Sequence, residues 1–238
     1  MFIPHKSECA ALRAPGFERH MLVWLEEDGW RAVQHAAAKE HRAALKLWEG
    51  QDWPAVVRRM DVGTREDEIC LGLPLPPDED SGTKVRIPIR AHVGHISKAA
   101  PAVDLRAALR SSGPWRERLM ALERDSAGLG LRVYGSLAMQ ALTGLLYVSQ
   151  ASDVDVLFHP VSREQLDAGM ELLSRHAAQL PLDGEVVFPG GQAVSWKEWR
   201  MAMAHPAKVI VKELQSVRLA DTASLLATLE EAQCAPQK

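Results

Sequence analysis

The sequence predicts an α+β protein in two parts: a β-rich front, residues 1–110, and a mixed sheet with helices packed on one side, residues 115–238. Three observations carry this. Strand-like runs crowd the front part around a single helix-forming stretch. From Leu131 onward, short apolar runs alternate with helix-forming stretches. Between the two, Ser111-Ser112-Gly113-Pro114 punctuates the chain as a linker would, since Gly and Pro interrupt regular structure.

Met21–Leu25 is an apolar run that reads as a strand or a buried helical turn, and periodicity does not separate the two. Residues 31–48 are rich in helix formers, with Gly50 as the stop. PAVVRRM and EICLGLPL read as strands, the second ended by Pro74, Pro76 and Pro77. PPDEDSG is an exposed turn, and KVRIPIRA alternates charged and apolar residues like a half-buried strand.

Behind the linker, a helix is expected from Trp115 to Ala127 with Leu119 and Leu122 on one face. Then follow LRVYGS (a strand into a tight turn), AMQALTGL (a helix), SDVDVLF (a strand) and REQLDAGMELLSRHAAQL (an amphipathic helix). LDGEVVF and QAVSWKEW read as strands around a PGG turn. The tail ADTASLLATLEEAQ is helical, capped by Asp221 or Thr222. No repeat of a solenoid period is present.

Composition removes several function classes. The chain has 238 residues and a net charge of −3, which argues against wrapping duplex nucleic acid by charge alone. Basic and acidic residues balance at 16 each through residue 110, and the remaining part holds 12 against 15. A cation-binding module would show that bias, as would an ordinary surface. Cys9, Cys70 and Cys234 are far apart and form no C-x-x-C pair, so neither a disulfide framework nor a zinc cluster is expected. No apolar run is long enough to cross a bilayer, and Met1–Leu12 lacks the basic-then-apolar pattern of a signal peptide. A cytoplasmic protein without membrane or nucleic-acid partners is the expectation.

The chemistry concentrates in Tyr134-Gly135-Ser136 and, seventeen residues after Ser136, Asp153-Val154-Asp155. A strand running into Gly135-Ser136 and then a helix makes an anion-binding corner. The glycine permits close approach, and the first helical amides lack intrahelical partners. An ordinary helix cap after a strand is the bland alternative. On a strand, residues i and i+2 face the same way, so Asp153 and Asp155 present two carboxylates together while Val154 and Val156 face the core. Such a pair repels itself unless a divalent cation lies between, and oxygen ligands suit Mg²⁺ or Mn²⁺. Asp183 and Glu185, again at i and i+2, are the candidates for a third carboxylate, and the sequence leaves the choice open.

Cations must offset any bound polyphosphate. Lys208 and Lys212 share a face if HPAKVIVKEL is helical. Arg58 and Arg59 point oppositely on a strand, and an inward Arg58 would bind phosphate or make a structural ion pair. His92-Val93-Gly94-His95 is read as structural because the glycine breaks the spacing a metal pair needs. Trp24, Trp30, Trp48 and Trp53 offer a platform for a base, but core packing is the commoner use of tryptophan. Cys70 reads as packing.

The order strand, Gly-Ser, helix, strand with D-x-D, helix, strand resembles the minimal nucleotidyltransferase fold of the DNA polymerase β superfamily. More narrowly, YGSLAMQALTGLLYVSQASDVDVLF, LDGEVVFPGGQAVSWKEW and KVIVKELQSVRL resemble the holo-acyl-carrier-protein synthases of malonate decarboxylase, which are phosphoribosyl-dephospho-CoA transferases. RHMLVWL, PAVVRRM and CLGLPLP resemble that family's amino-terminal segments, so the likeness runs from about Arg19 to Leu219. It implies transfer from 2′-(5″-triphosphoribosyl)-3′-dephospho-CoA to a serine of the acyl-carrier subunit of malonate decarboxylase, with release of pyrophosphate. It also implies metal ions on Asp153, Asp155 and Asp183, with Glu185 as the alternative third acid. Gly135 and Ser136 would hold the departing diphosphate, and Lys208, Lys212 and Arg58 are the candidate substrate cations. The front part would position the carrier protein or the CoA-like moiety. Two other readings compete: an ATP-using nucleotidyltransferase acting on another protein or small molecule, and a non-catalytic carrier-binding adaptor.

Overall fold

The computed structural model describes residues 16–78, 80–205 and 207–234. The leader expectation at Met1–Leu12, and with it Cys9, lies outside the described residues. The ambiguous run near Met21 is a strand, β1 (Leu22–Leu25). Helix α1 (Glu27–Ala36) follows, with Glu27 and Asp28 favourably placed at its positive end.

The single helix expected over 31–48 is two. The backbone is extended at Ala37, and after a 3₁₀ turn at Lys39–His41 helix α2 (Arg42–Gly50) begins. The break has a packing reason: it brings Trp30 and Val33 of the first helix and Leu45 and Trp48 of the second into one core. That core lies against a five-stranded sheet completed by β2 (Ala55–Val57), β3 (Glu68–Pro74), β4 (Arg86–His92) and β5 (Ile96–Ala100). Its order is β4-β3-β2-β1-β5 with every pairing antiparallel.

The second sheet starts at once, with β6 (Val103–Asp104). The sheets therefore change over at Pro101-Ala102, ahead of the Ser111–Pro114 stretch. That stretch is not an open linker, because it folds into 3₁₀ turns with Ser112 buried. Helices α3 (Leu105–Ala108) and α4 (Arg116–Asp125) lead to β7 (Arg132–Val133), α5 (Gly135–Thr143), β8 (Val154–Phe158), α6 (Arg163–His176) and β9 (Leu182–Phe188). Leu119 and Leu122 of α4 are buried as their spacing predicts. The Gly190-Gly191 turn joins β9 to β10 (Gln192–Ser195) in antiparallel register, both glycines having positive φ.

Two strand-helix assignments reverse. SWKEW is not strand throughout, since α7 (Trp196–Ala204) begins at its tryptophan. Lys208 and Lys212 are not on a helix but at the two ends of strand β11 (Lys208–Lys212). Its alternating Val209 and Val211, both fully buried, supply the period of two. β12 (Val217–Asp221) and α8 (Thr222–Cys234) are the last described elements.

The seven strands run β12-β11-β10-β9-β8-β7-β6, with β8 and β9 parallel and the other pairs antiparallel. Alternation divides the faces. Val154, Val156 and Phe158 of β8, with Val186 and Phe188 of β9, join the helical side chains in one core. Full burial of Phe158, Phe188, Trp196 and Trp199 contributes about 1.5–3 kcal/mol per side chain. Asp155, Asp183, Glu185 and Val187 turn to the opposite face, where Val187 packs with Leu157 and Ala193 while Asp155 and Glu185 line a cleft shared with the first sheet. The α+β expectation, with helices on one side of the mixed sheet, matches this architecture. Among the described residues, no helix is long and apolar enough to cross a membrane.

Candidate active site

The end of β7 and the start of β8 are joined before any side chain is considered. The Tyr134 backbone N–H donates to the Asp155 carbonyl oxygen at 3.1 Å. The chain then turns at Gly135, whose φ is 65°. A Cβ there would stand 2.1 Å from Asp155 Oδ2 and 3.0 Å from its Cγ, so only glycine allows the corner to touch the carboxylate. Helix α5 leaves from this point with Ser136 in its first turn, where unpartnered amides favour an anion. Lys84 Nζ, from the segment leading into β4, donates to Ser136 Oγ at 3.3 Å.

Asp155 is half-buried. Burial, followed by the carboxylates of Asp183 and Asp153, pushes its acid up to about 6, against the pull of Lys84 and Arg86. Asp183 is its direct partner in the parallel register of β8 and β9. That closeness rests on Gly184, where a Cβ would meet the Val156 carbonyl oxygen at 1.9 Å. Asp183 Oδ1 accepts its neighbour Gly184 N–H at 2.8 Å and lies 3.7 Å from Lys197 Nζ. Asp153 is exposed one residue before β8. Three aspartates therefore gather at the leading ends of two adjacent strands.

Glu185 is placed differently. Its side chain is 3% exposed and is ringed by Arg19 Nη1 at 2.9 Å, His20 Nε2 at 3.3 Å and Lys212 Nζ at 2.9 Å. Burial alone would raise its acid, but the His20 hydrogen bond and the Arg19 guanidinium overcome that and hold it well below the usual carboxylate range. Burial lowers His20, favouring its neutral form despite the Glu185 hydrogen bond. Glu185 is thus engaged by cations, whereas Asp183 stands directly beside Asp155.

A cleft of about 570 Å³ separates the two sheets. Tyr134, Gly135, Ser136 and Asp155 line one side, Lys84 and Arg86 the other, and Val56, Leu75, Val85 and Met139 form an apolar wall. Glu185, Lys212 and Arg58 also line it. Lys212 faces Glu185, and Arg58 holds Asp61 with two contacts of 2.6 Å, the structural ion pair that was its alternative reading. Lys208 is not brought in: it lies exposed at the far end of β11, opposite Asp221 and about 13 Å along the strand from Lys212.

No tryptophan lines the cleft; Trp30 and Trp48 are buried in the front core with Trp53 packed against it, and Trp24 donates to the Asp52 carbonyl. His92 accepts the Gly94 N–H and pairs with Asp67, a local structural use. Cys70 is fully buried. Lys84, Arg86 and Arg19 were not singled out by the sequence reading. The signal for the first two was available, because the alternation in KVRIPIRA puts Lys84 and Arg86 on the same face of its strand.

Among the described residues, no three His, Cys, Asp or Glu side chains close into a metal cage of their own. A set of aspartates with open positions nevertheless fits Mg²⁺ or Mn²⁺, which take a few carboxylates and complete their shell with water and phosphate oxygens. The reluctance of Asp155 to ionise beside Asp183 is the observation in favour, since a cation relieves that repulsion.

Comparisons with known proteins agree with this division of the chain. The family model for the phosphoribosyl-dephospho-CoA transferase MdcG N-terminal domain matches residues 18–102, and that for the MdcG C-terminal domain matches residues 102–223. A phosphoribosyl-dephospho-CoA transferase of Xanthomonas campestris pv. campestris (strain 8004) is 36% identical over 206 residues, covering 84% of this chain and 92% of the relative. One from Xanthomonas euvesicatoria pv. vesicatoria is 38% identical over 214 residues, 87% of this chain and 95% of the relative. One from Bradyrhizobium diazoefficiens is 35% identical over 218 residues, 88% and 91%. No solved structure matches the chain.

Proposed function

The chain belongs to the phosphoribosyl-dephospho-CoA transferase family, and we propose that it modifies the acyl-carrier subunit of malonate decarboxylase, taking the group from 2′-(5″-triphosphoribosyl)-3′-dephospho-CoA. The carrier's serine Oγ attacks the phosphorus nearest the ribose. The new Oγ–P bond forms as the bond from that phosphorus to the next phosphate's bridging oxygen breaks. Pyrophosphate leaves, and the group stays on serine as a phosphodiester.

The observation that carries this reading is the contact between Gly135 and Asp155, which puts an anion-binding turn against a carboxylate reluctant to ionise. Ser136 and the amides after it hold the departing diphosphate. Asp153, Asp155 and Asp183 are the residues to hold Mg²⁺ or Mn²⁺. When bound, that metal supplies charge to offset the attacking and leaving oxygens. A carboxylate beside the attacking oxygen accepts the serine proton as Oγ bonds to phosphorus, and Asp155 is the candidate. The fold reading that goes with this is the minimal nucleotidyltransferase arrangement of the rear sheet.

The test is intact mass of the apo carrier after incubation with enzyme, Mg²⁺ and either the triphosphoribosyl donor or ATP. A gain equal to phosphoribosyl-dephospho-CoA with the first donor alone is the expected result. A nucleotidyl mass from ATP would move the substrate to the competing transferase reading, and no gain from either would favour an adaptor.

A further inference from the structure

We infer that Lys84 and Arg86 bind the substrate's triphosphate across the cleft from Ser136, so that the front sheet supplies the cations and the rear sheet the carboxylates. This rests on the transferase reading above and gives the front part a share in binding the donor.

A triphosphate needs several positive partners, and three of the cleft's other cations are already engaged, while Arg59 lines it without reaching Ser136. Arg19 and Lys212 both serve the buried Glu185, and Arg58 is held by Asp61. Taking any of them for substrate would leave a carboxylate without its counter-charge, most expensively at Glu185. Lys84 and Arg86 carry no such commitment: among the described residues, neither pairs with a carboxylate. Arg86 opens β4 and Lys84 stands two residues before it, and both line the cleft.

Position then selects the ligand. Lys84 reaches Ser136 Oγ, the hydroxyl beside the α5 amides. Both cations line the same cleft as Asp155. An arginine fork matches phosphate oxygens in pairs, and a lysine adds a mobile point charge. The partner chemistry is a polyphosphate chain. In this substrate that chemistry has two sources, the triphosphate and the diphosphate inside dephospho-CoA. The Lys84–Ser136 contact favours the triphosphate, which must end at the reacting corner.

The experiment is calorimetric titration of the full-length enzyme with inorganic tripolyphosphate and, separately, with dephospho-CoA. Wild type is compared with Lys84→Ala, Arg86→Ala, the double variant, and Lys46→Ala, an exposed position of α2, as a control for loss of a single charge. Both cleft residues are exposed, so folding is not at stake. Expected is tripolyphosphate affinity at least 10-fold weaker in the double variant, dephospho-CoA affinity within about twofold of wild type, and no effect of Lys46→Ala, since phosphate contacts by cations dominate such binding. Tripolyphosphate binding unchanged in the double variant overturns the inference, as does a loss confined to dephospho-CoA. Wild type that binds no tripolyphosphate overturns it too. The transferase reading is scored separately on the same preparation: a modified carrier alongside unchanged tripolyphosphate binding sinks only the Lys84–Arg86 assignment.

Discussion

Gly135 and Asp155 share one corner so closely that a methyl group on Gly135 would stand 2.1 Å from Asp155 Oδ2. A turn from β7 and a carboxylate from β8 are thereby made into one unit, and the behaviour of each follows from the other.

Gly135→Ala must hold an L-residue at φ 65°, which costs about 1–2 kcal/mol. The atom in the way is the end of a side chain, so the fold yields by moving the Asp155 carboxylate. Turnover should therefore fall roughly 100-fold or more, well beyond what the stability loss explains, because small displacements of positioned groups cost about that much. A melt shifted by a few degrees with turnover intact would contradict the corner's role.

Asp155→Asn should stabilise the metal-free enzyme. The acid rises from 3.8 to about 6 on folding, so the folded state binds the proton more tightly than the unfolded one. Stability is therefore lost as pH rises from about 4 to about 6 and stays lost above that. The variant escapes this penalty, which is on the order of 2–3 kcal/mol for a shift of about two units. Melts without metal should show its advantage at pH 7.5 and little of it at pH 4. An advantage equal at both pH values would contradict the assignment.

Glu185→Gln and Asp183→Asn should separate the two third-acid candidates. The first leaves Arg19 and Lys212 around a buried neutral amide, and breaking such a buried pair costs roughly 3 kcal/mol or more. The second changes a half-buried carboxylate and should alter stability by less than about 1 kcal/mol, while reducing turnover at least 100-fold. Denaturant unfolding and steady-state rates on both variants check this, and the reverse ordering would return Glu185 to the metal site.

Ser136→Ala should raise KM for the triphosphate donor about tenfold, the loss of one hydrogen bond to a charged group, with a smaller effect on kcat. Unchanged KM and kcat would remove Ser136 from the site.

Much of this site was legible because it obeys local rules. The period of two placed Asp153 and Asp155 together, and Gly135-Ser136 between an apolar run and a helix-forming one marked the turn. What separates Asp183 from Glu185 was not legible, since the two have the same spacing and differ only in what surrounds them. Arg19 and His20 reach Glu185 from more than 160 residues away in sequence, a contact that no local pattern reports. Lys212 illustrates the same limit: its pairing with Lys208 is a pattern on either a helix or a strand, and only buried Val209 and Val211 settle on the strand. The changeover between sheets fell at Pro101-Ala102 rather than at the Gly-Pro pair, because Ser112 and Trp115 fold back into the rear core instead of spanning a gap.

The most direct test of the central claim is a single-turnover assay with Mg²⁺, the triphosphoribosyl donor and apo carrier, following the modified carrier by intact mass in wild type and Asp155→Asn. Wild type should convert the carrier with one pyrophosphate released per group attached, and Asp155→Asn should convert essentially none while remaining folded. Near-normal conversion by Asp155→Asn would contradict the account at its centre.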